Sequence, residues 1–491
     1  MGAKCCGLRR ENSYFNGKEN ADSASSGSDD DCVVMPAKTS IMHQKPDVTE
    51  LQKSDIYSLV ARSSGTWSNT RCVKHWNPTV PSILAKRELG ATKPQQFTHG
   101  DMCYFNSRYL PNHSTEVDSY NSKAFCGTYS QDGNIFLSAC QDQHIRVYNT
   151  SDDRLKLTKC LRAQDVGWSV LDTAFSPDGC YIAYSSWSDS VHLCSVYGDN
   201  DIHEALQFEP GYHGFCIFSL MFSSDNKEIL GSANDGCLYV YDRESNKRTL
   251  KIYAHDDDVN TVRYADDSSQ ILYSGGDDGL CKVWDRRTLR EHEPLPVGTL
   301  SGHIDGITYI DSKGDARFFI SNSKDQSIKL WDIRHFSDQR GIEETKKAVA
   351  SQNWDYRWQQ VPKKMTKQRD LRGDSSLMTY RGHCIRNTLI RCKFSPESST
   401  GQRYIYTGCA SGSVFVYDVL TGKVESRLKG HRSCVRDVSW HPYKNIIIST
   451  SWDCRLRQWT YLGSDDDGEQ AQRKEATKVN KQRKCKYRST D

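Results

Sequence analysis

The chain has 491 residues, and its 65 basic and 62 acidic side chains leave a formal net charge of only +3. This balance gives no overall attraction to nucleic acid or to a membrane surface, so we expect no direct nucleic-acid partner. No apolar run approaches the roughly 18 residues of a membrane-spanning helix, and no signal-peptide pattern opens the chain. The 19 cysteines include no C-x-x-C pair, which is typical of buried thiols in a reducing compartment. These features predict a soluble intracellular protein.

The first segment, residues 1–46, is rich in Ser, Asp, Asn and Lys. Such a composition cannot bury enough surface to fold alone, so we predict a disordered tail. Gly2 is a possible site for myristate, and Cys5 or Cys6 for palmitate. However, Cys6 stands where the myristoylation pattern needs Ser or Thr. The favoured interpretation is an unmodified terminus, with no membrane partner unless the terminus is lipidated.

The next segment, residues 47–92, carries two short helical patterns. Asp47-Val-Thr-Glu50 has the composition of a helix cap before a segment that contains Leu51 and Val60. A second helix is expected between Pro81 and Gly90. Helices this short are marginal in water. We therefore expect them to lie on the main domain or to await a partner.

The central part of the chain contains one pattern twice, between His255 and Arg334. Each copy begins near a histidine and ends in Trp-Asp, and Trp284 and Trp331 follow their histidines by 29 and 28 residues. Between these ends lie apolar runs rich in Val, Ile, Tyr and Trp, which are typical of half-buried strands. A unit of about 40 to 50 residues with this layout resembles a WD-repeat propeller blade.

The resemblance to WD repeats implies a structural role for several polar residues. In that family, the indole N–H of a buried Trp is held in a network of Ser or Thr, His and Asp. Three units have all four residues at the matching places, and we call each set a tetrad. The tetrads are His255, Ser274, Asp278 and Trp284; His303, Ser321, Asp325 and Trp331; and His431, Ser449, Asp453 and Trp459.

Related units follow one another from residue 100 to residue 463, which predicts an all-β, seven-bladed WD-repeat β-propeller. The last unit is followed only by a polar tail and lacks an outer strand. We expect a segment within residues 102–120 to supply that strand, because closure removes exposed sheet edges. The predicted blades are 124–150, 164–196, 213–242, 255–285, 303–332, 382–418 and 430–460.

One interval is too long for a single repeat, since 86 residues separate Trp331 from Tyr417. Residues 335–378 could hold a degenerate eighth blade. The stretch is instead rich in charged and amide residues and shows no alternating strand triplets. An insertion between blades five and six is the favoured prediction.

The C-terminal segment, residues 464–491, is predicted to be a disordered tail. It opens with the acidic run 465–467 and closes with the basic cluster 481–488. The cluster is compatible with a nuclear import signal and equally with a solvated charged tail. We expect the protein in the nucleus and the cytoplasm.

The sequence contains no P-loop, no G-x-G-x-x-G, no H-E-x-x-H and no G-x-S-x-G motif. We therefore predict no catalytic residues, no cofactor, no metal site and a protein that is not itself an enzyme. Because a propeller fold does not name a function, these observations alone predict a binding platform.

A narrower clue follows the Trp-Asp pairs of blades four and five, where the chain reads Asp285-Arg-Arg287 and Asp332-Ile-Arg334. One repeat separates the two arginines, so we expect them side by side on the face opposite the His and Asp loops. Neighbouring guanidinium groups suit the carboxylates or carbonyls of a protein partner. The alternative is a local pair between each arginine and the preceding aspartate.

Repeated Trp-Asp-x-Arg resembles the adaptor-binding motif of DCAF-type substrate receptors of cullin-4 RING ubiquitin ligases. Residues 271–287, 306–315 and 324–334 are similar to the family of WD-repeat protein twenty-three, also called DCAF eleven, with its plant LEC-type relatives. The similarity covers roughly residues 80–460 and not the tails. Cys194-Ser195 in blade two and Thr460 after Trp459 depart from the repeat pattern, which weakens single blades and not the motif pair.

The resemblance implies a non-catalytic receptor that presents proteins for ubiquitination and proteasomal degradation. Asp285, Arg287, Asp332 and Arg334 would then bind the triple-propeller adaptor, damage-specific DNA-binding protein one (DDB-one), and residues 47–92 would dock into it. An unknown protein substrate would bind the opposite face or the insertion. The alternative is a WD-repeat scaffold of signalling or chromatin complexes that belongs to no ligase.

Overall fold

The computed structural model of the chain describes residues 46–67, 79–89, 96–152, 154–198, 201–209, 214–365 and 371–463. Apart from Pro46, the predicted tails 1–46 and 464–491 lie outside the described residues, and so do Gly90 and His213. The described strands form seven four-stranded antiparallel sheets around one ring. The predicted all-β, seven-bladed WD-repeat propeller is confirmed.

Several short helices and one strand precede the first complete blade. They are α1 (Thr49–Lys53), α2 (Asp55–Ser63), α3 (Val80–Glu88), α4 (His99–Asn106) and β1 (His113–Ser119). Thr98 and Asp101 form a capping box at α4, and Pro81 lies in the first turn of α3. The predicted propeller boundary at residue 100 falls inside α4, and the strand that follows it begins at His113.

Blades one to four each consist of four consecutive strands. They are β2 (Ala124–Tyr129), β3 (Ile135–Cys140), β4 (His144–Asn149) and β5 (Lys156–Arg162); β6 (Asp172–Phe175), β7 (Tyr181–Ser185), β8 (Ser190–Ser195) and β9 (His203–Gln207); β10 (Ile217–Phe222), β11 (Glu228–Ala233), β12 (Cys237–Asp242) and β13 (Lys247–Tyr253); and β14 (Val259–Tyr264), β15 (Ile271–Gly276), β16 (Cys281–Asp285) and β17 (Gly298–Leu300).

Blades five and six have the same order, and blade seven takes its fourth strand from the N-terminal part of the chain. They are β18 (Ile307–Ser312), β19 (Phe318–Ser323), β20 (Ser327–Asp332) and β21 (Met378–Arg381); β22 (Cys392–Phe394), β23 (Tyr404–Thr407), β24 (Ser413–Asp418) and β25 (Val424–Lys429); and β26 (Val435–Trp440), β27 (Ile447–Ser451), β28 (Arg455–Thr460) and β1.

The ring is closed by the pairing of β1 with β28, in which His113 lies opposite Thr460 and Ser119 opposite Arg455. The strand therefore lies inside the window 102–120 in which the sequence predicts a closing segment. The pairing covers the edge of β28 that blade seven would otherwise expose.

The turn between the second and third strands of blade four needs a glycine for two reasons. Gly279 has φ of +75°, a conformation that favours residues without a side chain. A Cβ atom there would also lie 2.7 Å from Val349 Cγ2 of the insertion. The Asp278-Gly279 dipeptide thus forms the predicted tight hairpin and also leaves room for a neighbouring segment.

The insertion, residues 335–378, leaves the end of β20 and returns as β21, the outer strand of blade five. It contains α5 (Gln339–Ala350), and the Asp338 side chain caps that helix by accepting from the Gly341 N–H. Among its described residues there is no eighth blade. In structural terms the insertion lies between the third and fourth strands of blade five.

The second and third strands of the blades are more buried than the outer strands. Every residue of β19 and β20 is buried, whereas the outer strand β13 alternates between exposed and covered positions. Trp284, Trp331 and Trp459 are among the largest side chains that are completely buried. Neighbouring blades therefore bury the apolar faces that a single sheet would expose.

Replacing Trp331 by alanine should lower the free energy of unfolding by about 3–5 kcal/mol, because it empties a fully buried aromatic site. Urea unfolding followed by fluorescence measures this loss. Trp358→Ala is the matched control, since that side chain is 81% exposed and its removal should leave the midpoint almost unchanged. Equal effects of the two substitutions would contradict the packing described here.

Candidate functional site

In the first tetrad, one buried histidine connects the loop before β14, strand β15 and the hairpin that follows β15. His255 Nε2 lies 2.7 Å from Ser274 Oγ, and His255 Nδ1 lies 2.9 Å from Asp278 Oδ1. Trp284 Nε1 donates to the same Ser274 hydroxyl at 2.9 Å. The hydroxyl accepts from the indole and donates to the imidazole, so all buried polar groups of the tetrad are satisfied.

Blades five and seven repeat this arrangement. In blade five, His303 contacts Ser321 at 2.7 Å and Asp325 at 2.9 Å, and Trp331 donates to Ser321 at 2.7 Å. In blade seven the equivalent residues are His431, Ser449, Asp453 and Trp459, with 2.7 Å from His431 to Ser449 and from Trp459 to Ser449. We call the end of the ring that carries these His and Asp loops the tetrad face.

Blade six holds its histidine by other means, which sequence reasoning missed. His383 Nδ1 lies 2.9 Å from the hydroxyl of Tyr417, the residue that replaces the tryptophan. His383 Nε2 lies 3.0 Å from Asn322 Oδ1 of blade five. Burial lowers the pKa of His383 to about 3, so the imidazole is neutral and can make both contacts. The sequence signal for this arrangement was Tyr417, a tyrosine at the position where the repeat has tryptophan.

The opposite end of the ring carries Arg287 and Arg334, and we call it the arginine face. Arg287 forms a bidentate pair with Asp285, with Nε 2.9 Å from Oδ1 and Nη2 2.7 Å from Oδ2. This is the local pair that the sequence left open as an alternative. The Arg287 side chain is nevertheless 66% exposed, so its outer edge remains accessible.

Arg334 has a different environment, because the Asp332 carboxylate already pairs with Arg317. The Asp332 carboxylate is 1% exposed and accepts from Arg317, with 2.7 Å from Arg317 Nη2 to Oδ2. Arg334 donates only its backbone N–H to the Asp332 carboxylate, at 3.0 Å, and its side chain is 65% exposed. The guanidinium lies 3.8 Å from Asp55 at the start of α2.

Asp55 and Arg317 are the two residues of this face that the sequence interpretation did not include. Arg317 Nη1 donates to Asp55 at 2.7 Å, and this hydrogen bond lowers the pKa of the Asp55 carboxyl. A signal was present in the repeats. Arg317 precedes Asp332 by 15 residues, and in blade six Arg403 precedes its own partner, Asp418, by the same 15.

The pair α1–α2 is seated on the arginine face by apolar contacts. Leu51, Ile56 and Val60 are completely buried in one cluster with residues of blades five and six, including Phe318 and Tyr417. Ser63 Oγ, at the end of α2, donates to the Gly401 carbonyl of blade six at 2.7 Å. The predicted helical segment therefore lies on the propeller, directly beside Arg334.

In the part of the chain that the structure describes, no group of three or more His, Cys, Asp or Glu side chains is placed to hold a metal ion. No helix in that part is both long and apolar enough to cross a membrane. The arginine face presents exposed guanidinium groups next to a packed helix pair, and such groups can form hydrogen bonds with carboxylates or carbonyls.

The fold and its repeats define a WD-repeat β-propeller protein. A family model described as "WD domain, G-beta repeat" matches residues 108–149, 246–285, 295–332 and 422–460. These matches include the tetrad tryptophans of blades four, five and seven.

Similarity over the whole chain identifies a narrower family than the repeat model does. The LEC14B protein of Lithospermum erythrorhizon is 40% identical over 461 residues, which is 90% of this chain and 93% of the relative. The "DDB1- and CUL4-associated factor 11 homolog" of Caenorhabditis elegans is 44% identical over 369 residues, 72% of this chain and 63% of the relative. Its Caenorhabditis briggsae counterpart is 38% identical over 434 residues, 85% and 75% of the two chains. The chain belongs to the family of LEC14B and DDB1- and CUL4-associated factor 11, as the sequence predicted.

The tetrads predict a defined loss of stability in acid. Burial alone would raise the pKa of Asp453, but the hydrogen bond and charge of His431 outweigh it and lower that pKa. A lowered carboxyl pKa contributes stability above the unfolded value of about 3.9 and loses it as the pH falls towards the folded value. Asp453→Asn should therefore cost about 1–3 kcal/mol at neutral pH and progressively less in acid. Urea unfolding between neutral pH and the carboxyl range measures the difference.

The control for this experiment is Asp152→Asn, which removes an exposed aspartate from a loop of blade one. Its free energy of unfolding should follow the wild-type curve at every pH. A cost of Asp453→Asn that stays constant down to the lowest pH would show that the carboxylate charge is not what stabilises the tetrad.

Because Ile56 of α2 is buried against blades five and six, Ile56→Asp should release the helix from the ring. Losing this buried side chain should cost at least about 2 kcal/mol, on the order of a thirtyfold change in the opening equilibrium. Hydrogen exchange should show faster exchange in α1–α2 while the blades stay protected. Leu59→Asp lies on the same helix at a 43% exposed position and should leave exchange unchanged. Equal protection of α2 in both variants would contradict the seating.

Proposed function

We propose that this protein is a substrate receptor of a cullin-4 RING ubiquitin ligase, and that its arginine face binds a DDB1-type adaptor. Arg287 and Arg334 carry the binding. Asp285 supports Arg287, and Asp332 supports the adjoining helix pair through Arg317. The pair α1–α2 forms the rest of the adaptor surface. The tetrad face is left to the protein substrate.

The observation that carries this proposal is the position of Arg334 beside α2. The sequence resemblance names two separate features, the Trp-Asp-x-Arg arginines and an N-terminal helical segment. They lie on one face, with Arg334 3.8 Å from Asp55. A surface of exposed arginines beside an ordered helix pair has the composition of a protein interface, in which Arg is a frequent hot spot.

The two aspartates have different roles in this proposal. Asp285 holds Arg287 in a fixed bidentate geometry while the arginine remains exposed, so less side-chain freedom is lost on binding. Asp332 fixes Arg317, which in turn holds Asp55 and the start of α2. Asp332 would therefore act on the adaptor through the helix and not by direct contact.

The names of the relatives support the same partner. Two of them are named for association with DDB1 and CUL4. A receptor of this kind is non-catalytic. It accelerates ubiquitin transfer by holding substrate lysines near a charged conjugating enzyme, which is an effect of local concentration and orientation.

The test is the double variant Arg287→Ala, Arg334→Ala. Each truncation at a hot spot costs about 2 kcal/mol or more, so the loss of both should weaken adaptor binding on the order of a thousandfold if the sites are independent. Affinity purification from cells, followed by mass spectrometry for DDB1 and cullin-4, measures the result. Because both side chains are exposed, the melting temperature should stay within about a degree.

The matched control is Arg432→Ala, an exposed arginine whose backbone N–H contacts Asp453 on the tetrad face. This variant should retain the adaptor in full. Undiminished capture of DDB1 by the double variant would overturn the proposed adaptor site. Failure of the wild-type protein to capture DDB1 and cullin-4 would favour a scaffold that belongs to no ligase.

A further inference from the structure

On the tetrad face, loops of neighbouring blades place side chains around the mouth of the channel, and we call this set of side chains the rim. One half of the rim is aromatic. Phe125 of blade one lies between two tryptophans, with ring centroids 5.1 Å from Trp168 and 5.6 Å from Trp452. Trp168 is 44% exposed although its ring packs edge-on against Phe125. The three rings connect blades seven, one and two.

The aromatic half continues into blade three. Gly167 approaches Trp187 so closely that a Cβ atom would lie 2.7 Å from the Trp187 carbonyl oxygen. Trp187 therefore lies beside the backbone of the residue that precedes Trp168, and its ring centroid lies 6.4 Å from that of Phe218. Trp187 is itself 37% exposed. Two large apolar side chains thus remain accessible on one side of the rim.

The other half of the rim is acidic. It begins where the hairpin of blade three meets blade four, since a Cβ atom at Gly236 would lie 3.4 Å from the Asp257 carbonyl oxygen. Asp258 follows, and its carbonyl oxygen accepts from the Asp277 N–H at 2.9 Å. The acidic residues of this half are Asp257, Asp258, Asp277 and Asp305.

The insertion borders the acidic half. Trp354 Nε1 donates to Asp305 Oδ2 at 2.8 Å. The Tyr356 carbonyl oxygen accepts from the Asn387 N–H of the next blade at 2.8 Å. Lys324 lies over the Tyr356 ring at 4.3 Å from its centroid. The insertion thereby borders the acidic half of the rim.

These carboxylates are incompletely neutralised. Lys324 pairs with Asp277 at 2.7 Å, but among the described residues neither Asp257 nor Asp258 forms an ion pair. Burial, with the charges of Asp277 and Asp257, raises the pKa of Asp258 to about 7. Burial also raises the pKa of Asp305 to about 6. Lys324 and Arg357 lower the pKa of Asp258 but do not offset these contributions, so an approaching cation would favour its charged form.

We propose that this rim is the substrate-binding site, and that it takes a protein segment in which a lysine or arginine stands close to a large apolar residue. The cationic head would lie between Asp257 and Asp258, and the apolar side chain would pack on Trp168 and Trp187. Charge complementarity selects the cation, and the exposed tryptophans select the apolar neighbour. The acidic half disfavours nucleic acid, whose phosphates carry the same sign of charge.

This inference rests on the proposed receptor function, because it names the class of substrate for the face that the adaptor leaves free. Its test uses the purified full-length chain and needs no adaptor. A phage-displayed library of random twelve-residue peptides is panned against the wild-type protein. Enriched peptides are then synthesised, and their affinity is measured by fluorescence anisotropy.

The decisive variant is Asp257→Asn, Asp258→Asn. Because the pKa of Asp258 is raised, removal of its charge should leave the melting temperature equal to or above that of the wild type. Peptide affinity should fall on the order of tenfold or more. The matched control is Glu204→Gln, Glu425→Gln, which removes two exposed charges from outer strands of blades two and six and should leave affinity unchanged.

Trp168→Ala should weaken the same peptides, and so should the exchange of the peptide's basic residue for glutamine. Enriched peptides that lack basic residues, no enrichment at all, or equal affinity for the aspartate variant and its control would each overturn the proposed rim. The aspartate variant should still co-purify DDB1. Peptide binding without capture of DDB1 by the wild type would instead retain the rim and overturn the receptor function.

Discussion

The pairing of β1 with β28 is the interaction on which the rest of the propeller depends. Each blade is apolar on both faces, so only a closed ring covers every face and every inner edge. The closing strand comes from a part of the chain more than 330 residues away from β28. Because His113 lies opposite Thr460, β1 starts at the arginine-face end of blade seven. Closure therefore fixes α4, which precedes β1, at the same end of the ring as Arg287 and Arg334.

The features that sequence reasoning reached are those that repeat locally. The Trp-to-Ser contacts span 10 residues, the His-to-Ser contacts 18 or 19 and the His-to-Asp contacts 22 or 23. All fit within one repeat and recur in blades four, five and seven. The blade count and the closing strand follow from the same periodicity. Asp55 and Arg317 are 262 residues apart, and no local pattern marks such a contact. The seating of α1–α2 and the position of the insertion depend on the assembled ring, which is why only their existence could be predicted.

A second group of long-range contacts keeps the blades in register across the channel. The Arg391 guanidinium donates to Asp172 of blade two at 2.6 Å and to Asp437 of blade seven at 3.0 Å. All three side chains are at least nine-tenths buried. Desolvation of buried charges offsets much of their attraction, so such a network is weak evidence for stability. Its geometry is nonetheless directional, and it ties blades on opposite sides of the channel to one another.

A ring held in this way keeps its two ends at a fixed separation, and the two ends differ in charge. The arginine face offers exposed guanidinium groups, whereas the rim of the tetrad face offers the carboxylates of Asp257 and Asp258, which form no ion pair among the described residues. Under the proposed function, acidic groups of the adaptor would be attracted to the arginine face, and a basic substrate segment would be attracted to the rim of the tetrad face. In the proposed complex, adaptor and substrate would be held at opposite ends of the ring. Their separation would then be set by the length of a blade rather than by a flexible linker.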